Sequence, residues 1–97
     1  MSILMEVFKE ELERLDRQAI IYAQDLQELP KGYISKKIIR GNVSYYLQYR
    51  EGKKIVSKYI SIENLPKVEV QVKRRKQLEV SLRRVREDQK KLRKVLP

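Results

Sequence analysis

The sequence predicts an α+β fold: a long helix, a three-stranded antiparallel β-meander and a second long helix, with the two helices pairing antiparallel. Three observations predict it. Apolar residues recur at spacings of three and four near both ends of the chain, the period changes to two between them, and two short glycine-containing segments divide the middle. A chain of 97 residues is the size of one small domain. We therefore predict a single domain over residues 1–97.

The first predicted element is a helix over residues 3–28. Its apolar side chains form one stripe along the helix, a heptad-like seam. The seam consists of Phe8, Leu12, Leu15, Ala19, Tyr22, Leu26 and Leu29. Ser2 suits the helix start, because a hydroxyl can satisfy the free backbone amides there. Pro30 disfavours helical backbone in the residue before it, and Gly32 opens a turn, so the helix is expected to end here.

The β-meander is predicted over residues 33–60. Gly41-Asn42 and Glu51-Gly52 are interpreted as two-residue hairpin turns. With these turns, Ile38 opposes Tyr45. The apolar face of the sheet is expected to form the core against the helices. Its members are Ile34, Ile38, Val43, Tyr45, Leu47, Tyr49, Val56 and Ile60.

The last predicted element is a basic helix over residues 64–96, with Pro66 tolerated in its first turn. Its seam consists of Leu78, Leu82, Val85, Leu92 and Leu96, with Gln89 at the remaining position. Neither helix can bury its stripe alone. We therefore expect the helices to pair within one chain, or between two chains as a homodimeric four-helix arrangement.

Charge is distributed unevenly along the chain, which carries a net +10. Residues 1–28 have three basic and seven acidic side chains, a net of −4. Residues 29–62 have eight basic and one acidic, and residues 63–97 have twelve basic and five acidic, so each segment has a net of +7. This asymmetry favours a polyanionic partner for the basic part. The alternative is a charged surface without such a partner.

The second face of the sheet and the basic helix are the candidate nucleic-acid-binding surfaces. Lysine and arginine attract phosphates, tyrosine can stack on bases, and glutamine and arginine can hydrogen-bond to base edges. The candidate residues of the sheet are Lys37, Tyr46, Gln48, Arg50, Lys53 and Tyr59. Those of the helix are Arg74, Arg75, Arg83 and Arg84. The structural alternative is that the tyrosines are there as strand formers and the cations pair with the acidic first helix or prevent aggregation.

Several function classes are not expected. Without cysteine or histidine there are no thiols, disulfides or histidine metal sites. Catalysis would need clustered carboxylates, an activated lysine or a glycine-rich phosphate loop, and Glu51 is the one acid of the sheet segment. We expect no enzyme activity, no cofactor and no metal. No apolar run is long enough to span a membrane, and the first six residues do not resemble a signal peptide, so a cytoplasmic protein is expected.

Two resemblances bear on function. The segments LPKGYI at 29–34, YYLQYREGK at 45–53 and SKYI at 57–60 resemble a family of small uncharacterised proteins of bacteria, phages and mobile elements, with an LPxG…YYLQYREGK…SKYI core. This resemblance covers about residues 29–62 and the basic helix, and implies no particular activity. The layout of residues 33–60 is similar to the arm-binding domain of tyrosine recombinases, whose sheet enters the DNA major groove. That resemblance implies DNA binding by the sheet.

Together these observations predict a non-enzymatic nucleic-acid-binding protein, with DNA favoured over RNA. The alternative is a protein-interaction module or an oligomerising helical protein. One form of it is a phage or mobile-element inhibitor of a host nucleic-acid-processing complex such as a CRISPR nuclease.

Overall fold

The computed structural model describes residues 2–97 and confirms the predicted α+β fold. Its elements are α1 (Ile3–Gln27), β1 (Tyr33–Ile39), β2 (Asn42–Glu51), β3 (Lys54–Ile60) and α2 (Leu65–Val95). Both helices agree with the predicted ones to within one residue at each end. No helix within the described residues combines the length and the apolar character that crossing a membrane requires.

The described residues form two compact units. The helical unit contains residues 2–28 and 77–97, and the sheet unit contains residues 29–76. Because α2 is long, its residues 65–76 belong to the sheet unit and its later residues belong to the helical unit.

The helical unit is an antiparallel pair of helices closed by the predicted seams. Leu26 lines one groove with Leu82, whereas Met5 and Leu12 line another with Leu96, so the start of α1 lies beside the end of α2. The buried apolar side chains of the unit are Leu15, Leu78, Leu82 and Val85. The other seam residues of α1 in this unit are half-buried, so the seam is partly covered within one chain along its length.

A polar contact lies inside the apolar seam of the helical unit. Gln89 is buried, and its Nε2 donates a 2.7 Å hydrogen bond to Oδ1 of Asp16. Arg93 Nη2 donates to the same oxygen over 3.1 Å. A buried amide without a partner is costly, so this bond favours the helix alignment that brings Asp16 to Gln89.

The start of α1 differs in one detail from the expectation. The helix begins after Ser2 as predicted, but the side chain of Ser2 makes no capping hydrogen bond. Instead, the Ser2 carbonyl accepts hydrogen bonds from the amides of Met5 and Glu6. The predicted hydroxyl cap is therefore wrong.

The sheet has strand order β1-β2-β3 with both pairs antiparallel. Its register differs by two residues from the predicted one, since Ile38 pairs with Val43 rather than with Tyr45. The turns are Arg40-Gly41 and Gly52-Lys53. Because the displacement is even, each side chain stays on its predicted face.

Two features explain the observed register of β1 and β2: the backbone conformation of the turn, and the close approach of the Gly32 backbone to the Gln48 carbonyl. Arg40 and Gly41 both have positive φ, at 52° and 78°, as a type I′ hairpin turn requires. At the other end of the hairpin, Gly32 has φ +106°, and a Cβ there would lie 2.0 Å from the carbonyl oxygen of Gln48. Only glycine allows this approach, which fixes the start of β1 against β2.

The core face of the sheet is covered over part of its length. Ile60 and Val72 are buried, and Val72 lines a cleft together with Ile34. Ile38 and Val43, however, are 64% and 41% exposed. Their assignment to the core was wrong, because they lie at the β1–β2 turn rather than beneath a covering element.

We expect Gly32→Ala to lower the free energy of unfolding by at least about 2 kcal/mol, since it adds a clash to an unfavourable φ. Gly41→Ala is the matched control, because Gly41 also has positive φ but its Cβ would meet no atom within 4 Å. Urea denaturation followed by circular dichroism measures both. Equal losses for the two variants would show that the close approach does not fix the register.

A second prediction concerns the polar contact in the helical unit. Asp16→Ala should cost about 1–3 kcal/mol of unfolding free energy, because the Gln89 amide loses its acceptor while buried. The double variant Asp16→Ala/Gln89→Leu should lose less unfolding free energy than Asp16→Ala alone, since leucine packs well in the apolar seam. A double variant as unstable as Asp16→Ala in urea denaturation would contradict this explanation.

Candidate nucleic-acid interface

The candidate interface is the sheet surface opposite the core face, which we call the outer sheet face. Strand alternation and the observed register place every second side chain on it. Its residues are Tyr33, Ser35, Lys37, Ile39, Asn42, Ser44, Tyr46, Gln48, Arg50, Ile55, Ser57 and Tyr59. None of these residues is acidic. The face therefore combines positive charge, aromatic rings and uncharged polar groups.

A cluster of two rings and a cation occupies the middle of the outer sheet face. Tyr46 pairs directly with Tyr59, and their ring centroids lie 5.8 Å apart at an interplanar angle of 70°. This edge-to-face arrangement is favourable for aromatic pairs. The Nζ of Lys37 lies 4.7 Å from the Tyr46 centroid, within cation–π distance. Tyr59 is 65% exposed, whereas Tyr46 is half-buried, so Tyr59 offers the accessible ring.

An oriented amide lies beside this cluster. Gln48 pairs with Ser57 across β2 and β3, and its Nε2 donates a 3.0 Å hydrogen bond to Ser57 Oγ. The bond orients the amide, which can make further hydrogen bonds through its carbonyl oxygen. Two residues further along β2, Arg50 is exposed.

The structure thus brings five of the six candidate sheet residues together: Lys37, Tyr46, Gln48, Arg50 and Tyr59. Lys53 lies in the β2–β3 turn instead of in β3 where the sequence placed it. The reason is that the turn contains Gly52-Lys53 rather than Glu51-Gly52. Gly52 takes the positive φ of 61° at the first turn position, where glycine is favoured.

The candidate arginines of α2 differ in exposure and in the unit to which they belong. Arg74 is exposed in the sheet unit, whereas Arg75 is half-buried and its Nη1 donates a 2.9 Å hydrogen bond to the carbonyl of Leu29. Arg75 therefore has a structural contact within the sheet unit. Arg83 and Arg84 are exposed in the helical unit.

The acidic helix α1 partly neutralises its own charge. The guanidinium of Arg14 donates hydrogen bonds to the carboxylate of Glu11 one turn earlier. This contact lowers the pKa of Glu11 and raises that of Arg14. Both side chains are exposed, and such pairs contribute little to stability. Arg14 thus occupies one acid of α1 that would otherwise be available to the cations of α2.

Sequence reasoning did not select the exposed apolar side chains of the sheet as site residues. Ile39 and Ile55, 61% and 68% exposed, belong to the outer sheet face, and Ile38 is exposed on the opposite face. The alternation of the strands placed Ile39 and Ile55 on this face, but only the register shows how close Ile38 and Ile39 lie to a turn.

No group of three acidic, histidine or cysteine residues in the described part of the chain could hold a metal ion.

Comparison with known proteins identifies a family. The family model described as "Domain of unknown function (DUF6788)" matches residues 8–70, about two thirds of the chain. The matched range includes the whole sheet and the start of α2, and thus every candidate residue of the sheet. No curated protein and no solved structure matched the chain.

Proposed function

The chain belongs to the DUF6788 family, and we propose that it is a non-enzymatic nucleic-acid-binding protein that favours DNA over RNA. The outer sheet face is the contact surface. The observation that carries the proposal is the composition of this face: no carboxylate, exposed Lys37 and Arg50, and the exposed ring of Tyr59.

Phosphate attraction supplies most of the affinity. Lys37 and Arg50 lie on the outer sheet face, with Lys53 in the adjacent turn. Each cation that neutralises a phosphate releases condensed counterions, so binding weakens steeply as salt increases. Exposed Arg74 adds a further cation from the same unit, whereas Arg75 supports the fold through Leu29. Arg83 and Arg84 are exposed cations of the helical unit.

Base contacts come from Tyr59 and Gln48. The exposed ring of Tyr59 provides a surface for a base, while Tyr46 supports it from the side through their edge-to-face contact. The Gln48 amide, oriented by Ser57, matches a hydrogen-bonding base edge. A face that only prevented aggregation would need the cations but not an exposed tyrosine held against a second ring.

A matched pair of charge-neutralising variants tests the outer sheet face. Lys37→Gln/Arg50→Gln removes two cations from the outer sheet face, and Lys54→Gln/Lys58→Gln removes two exposed cations from the opposite face. Fluorescence anisotropy is measured with duplex DNA, single-stranded DNA and structured RNA at about 50 and 200 mM salt. The outer-face variant should bind at least about tenfold more weakly, with a salt slope reduced by about two.

The control variant separates face-specific binding from general charge. Lys54→Gln/Lys58→Gln should weaken binding less than about threefold, because Lys54 and Lys58 lie on the face opposite the proposed contact surface. Equal weakening by both variants would refute the outer sheet face as the contact surface. If the unmodified protein binds none of the three polymers at the lower salt, the proposed function is wrong.

Tyr59 provides an independent prediction. Tyr59→Thr should weaken single-stranded DNA binding by about 1–3 kcal/mol, because a stacking ring is lost while a strand-forming residue remains. Tyr59→Phe keeps the ring and should bind like the unmodified protein. Both variants are compared by the same anisotropy titration, and equal weakening by both would exclude stacking.

A second candidate function is supported by the surface of α1. Several apolar side chains of this helix remain exposed in the helical unit: Ile3, Leu4, Val7, Ile20 and Ile21. Exposed apolar side chains of this kind favour a protein-interaction or oligomerising module. The narrower form, an inhibitor from a phage or mobile element that engages a CRISPR nuclease, would use the same side chains.

The second candidate predicts that the protein self-associates as its concentration increases, and that Ile20→Gln/Ile21→Gln reduces this association. Multi-angle light scattering over a concentration series measures the molar mass of the unmodified protein and of the variant. A monomer throughout the series would exclude self-association by this surface.

A further inference from the structure

Three apolar side chains are exposed at the end of the first hairpin. We call residues 38–43 the β1–β2 tip. Ile38 and Ile39 are 64% and 61% exposed, and Val43, which pairs with Ile38, is 41% exposed. Ile38 and Ile39 point to opposite faces of the hairpin, so apolar surface surrounds its end. Folding of the sheet unit does not bury these side chains, and their exposure to water is unfavourable.

The charged side chains near the tip in the first hairpin are all positive. Lys36, Lys37 and Arg40 are exposed within the same hairpin. Residues 29–50 contain no aspartate or glutamate. The second hairpin differs, because its turn follows Glu51 and pairs this acid with Lys54. The combination of exposed apolar side chains with cations and no acid is therefore a property of the first hairpin.

The tip is also held in one conformation. β1 and β2 pair as far as Ile39 and Asn42, directly before the two-residue turn. The positive φ values of Arg40 and Gly41 fit a type I′ turn, whose twist matches that of the strands. Apolar side chains on such a paired ribbon can be pushed into a partner without first being ordered.

We infer that the β1–β2 tip inserts Ile38 and Ile39 between stacked base pairs of duplex DNA from the minor-groove side and kinks the duplex. This inference rests on the proposed function and specifies its ligand as double-stranded DNA. Duplex DNA combines the two chemistries that the tip requires: phosphates for Lys36, Lys37 and Arg40, and an apolar stack of bases for the isoleucines. Minor-groove proteins insert apolar wedges such as isoleucine in this way, and the resulting kinks are about 20–90°.

The rest of the sheet favours DNA over the other partner with the same two chemistries. An anionic membrane also offers phosphates above an apolar interior. It offers no base edge for the oriented Gln48 amide, which lies on the same face as Ile39. Flexible steps such as TA are the least costly to unstack, so insertion is expected there.

The test uses the full chain and a duplex of about 30 base pairs with one central TA step. Donor and acceptor dyes at the ends report bending, and 2-aminopurine beside the TA step reports unstacking. Binding of the unmodified protein should raise energy transfer and 2-aminopurine fluorescence. Ile38→Thr/Ile39→Thr should still bind but lose both signals, because threonine keeps the strand preference and removes the apolar wedge.

Ile55→Thr is the matched control, since Ile55 is equally exposed on the outer sheet face but belongs to the second hairpin. It should retain both signals, and circular dichroism verifies that each variant is folded. Retention of the signals by Ile38→Thr/Ile39→Thr would overturn the inference. So would loss of the signals in Ile55→Thr to the same extent.

Two further outcomes separate this inference from the proposed function. Duplex binding by the unmodified protein with neither signal would overturn the wedge and leave the proposed function standing. No duplex binding at all would overturn the wedge and also the proposal that the protein binds DNA.

Sedimentation with phosphatidylglycerol and phosphatidylcholine vesicles is run in parallel. Vesicle binding that requires Ile38 and Ile39, with no distortion of DNA, would assign the tip to a membrane and overturn the inference.

Discussion

The close approach of Gly32 to the Gln48 carbonyl is the constraint on which the pairing of β1 with β2 depends. A Cβ at this position would lie 2.0 Å from the oxygen, so the backbones can meet here only if residue 32 is glycine. This contact fixes where β1 begins against β2. From that point the pairing continues to Ile39 and Asn42, and it determines which residues form the turn and which side chains lie opposite one another.

The outer sheet face depends on this register and also on the register between β2 and β3, which the Gly32 contact does not involve. Tyr46 lies opposite Tyr59 and Gln48 lies opposite Ser57, so the aromatic pair and the side-chain hydrogen bond both depend on strand alignment. A displacement by two residues would keep the composition of the face but separate these partners. Its charge, by contrast, does not depend on alignment, because the face contains no acid in either register. Electrostatic attraction is therefore less sensitive to register than base contacts are.

In the helical unit, a buried hydrogen bond favours one alignment of α1 with α2. Apolar seams allow neighbouring registers at similar energy, whereas the buried amide of Gln89 needs a partner at one position. Asp16 provides it, and Arg93 shares the same carboxylate oxygen. This polar contact favours the observed alignment of the pair, while Leu15, Leu78, Leu82 and Val85 supply the apolar burial.

Periodicity and charge in the sequence determined the order of the elements, both helix boundaries to within one residue, the faces of the strands and the basic character of the sheet segment. These properties depend on local spacing, which a single sequence displays directly. Only the tertiary structure decided the register, the position of Lys53 in a turn, the structural contact of Arg75 with Leu29 and the exposure of Ile38 and Val43. Each of these depends on contacts between residues distant in the chain or on the extent of a covering element. Two turn placements were compatible with the same glycines, and the backbone contact at Gly32 selected one of them.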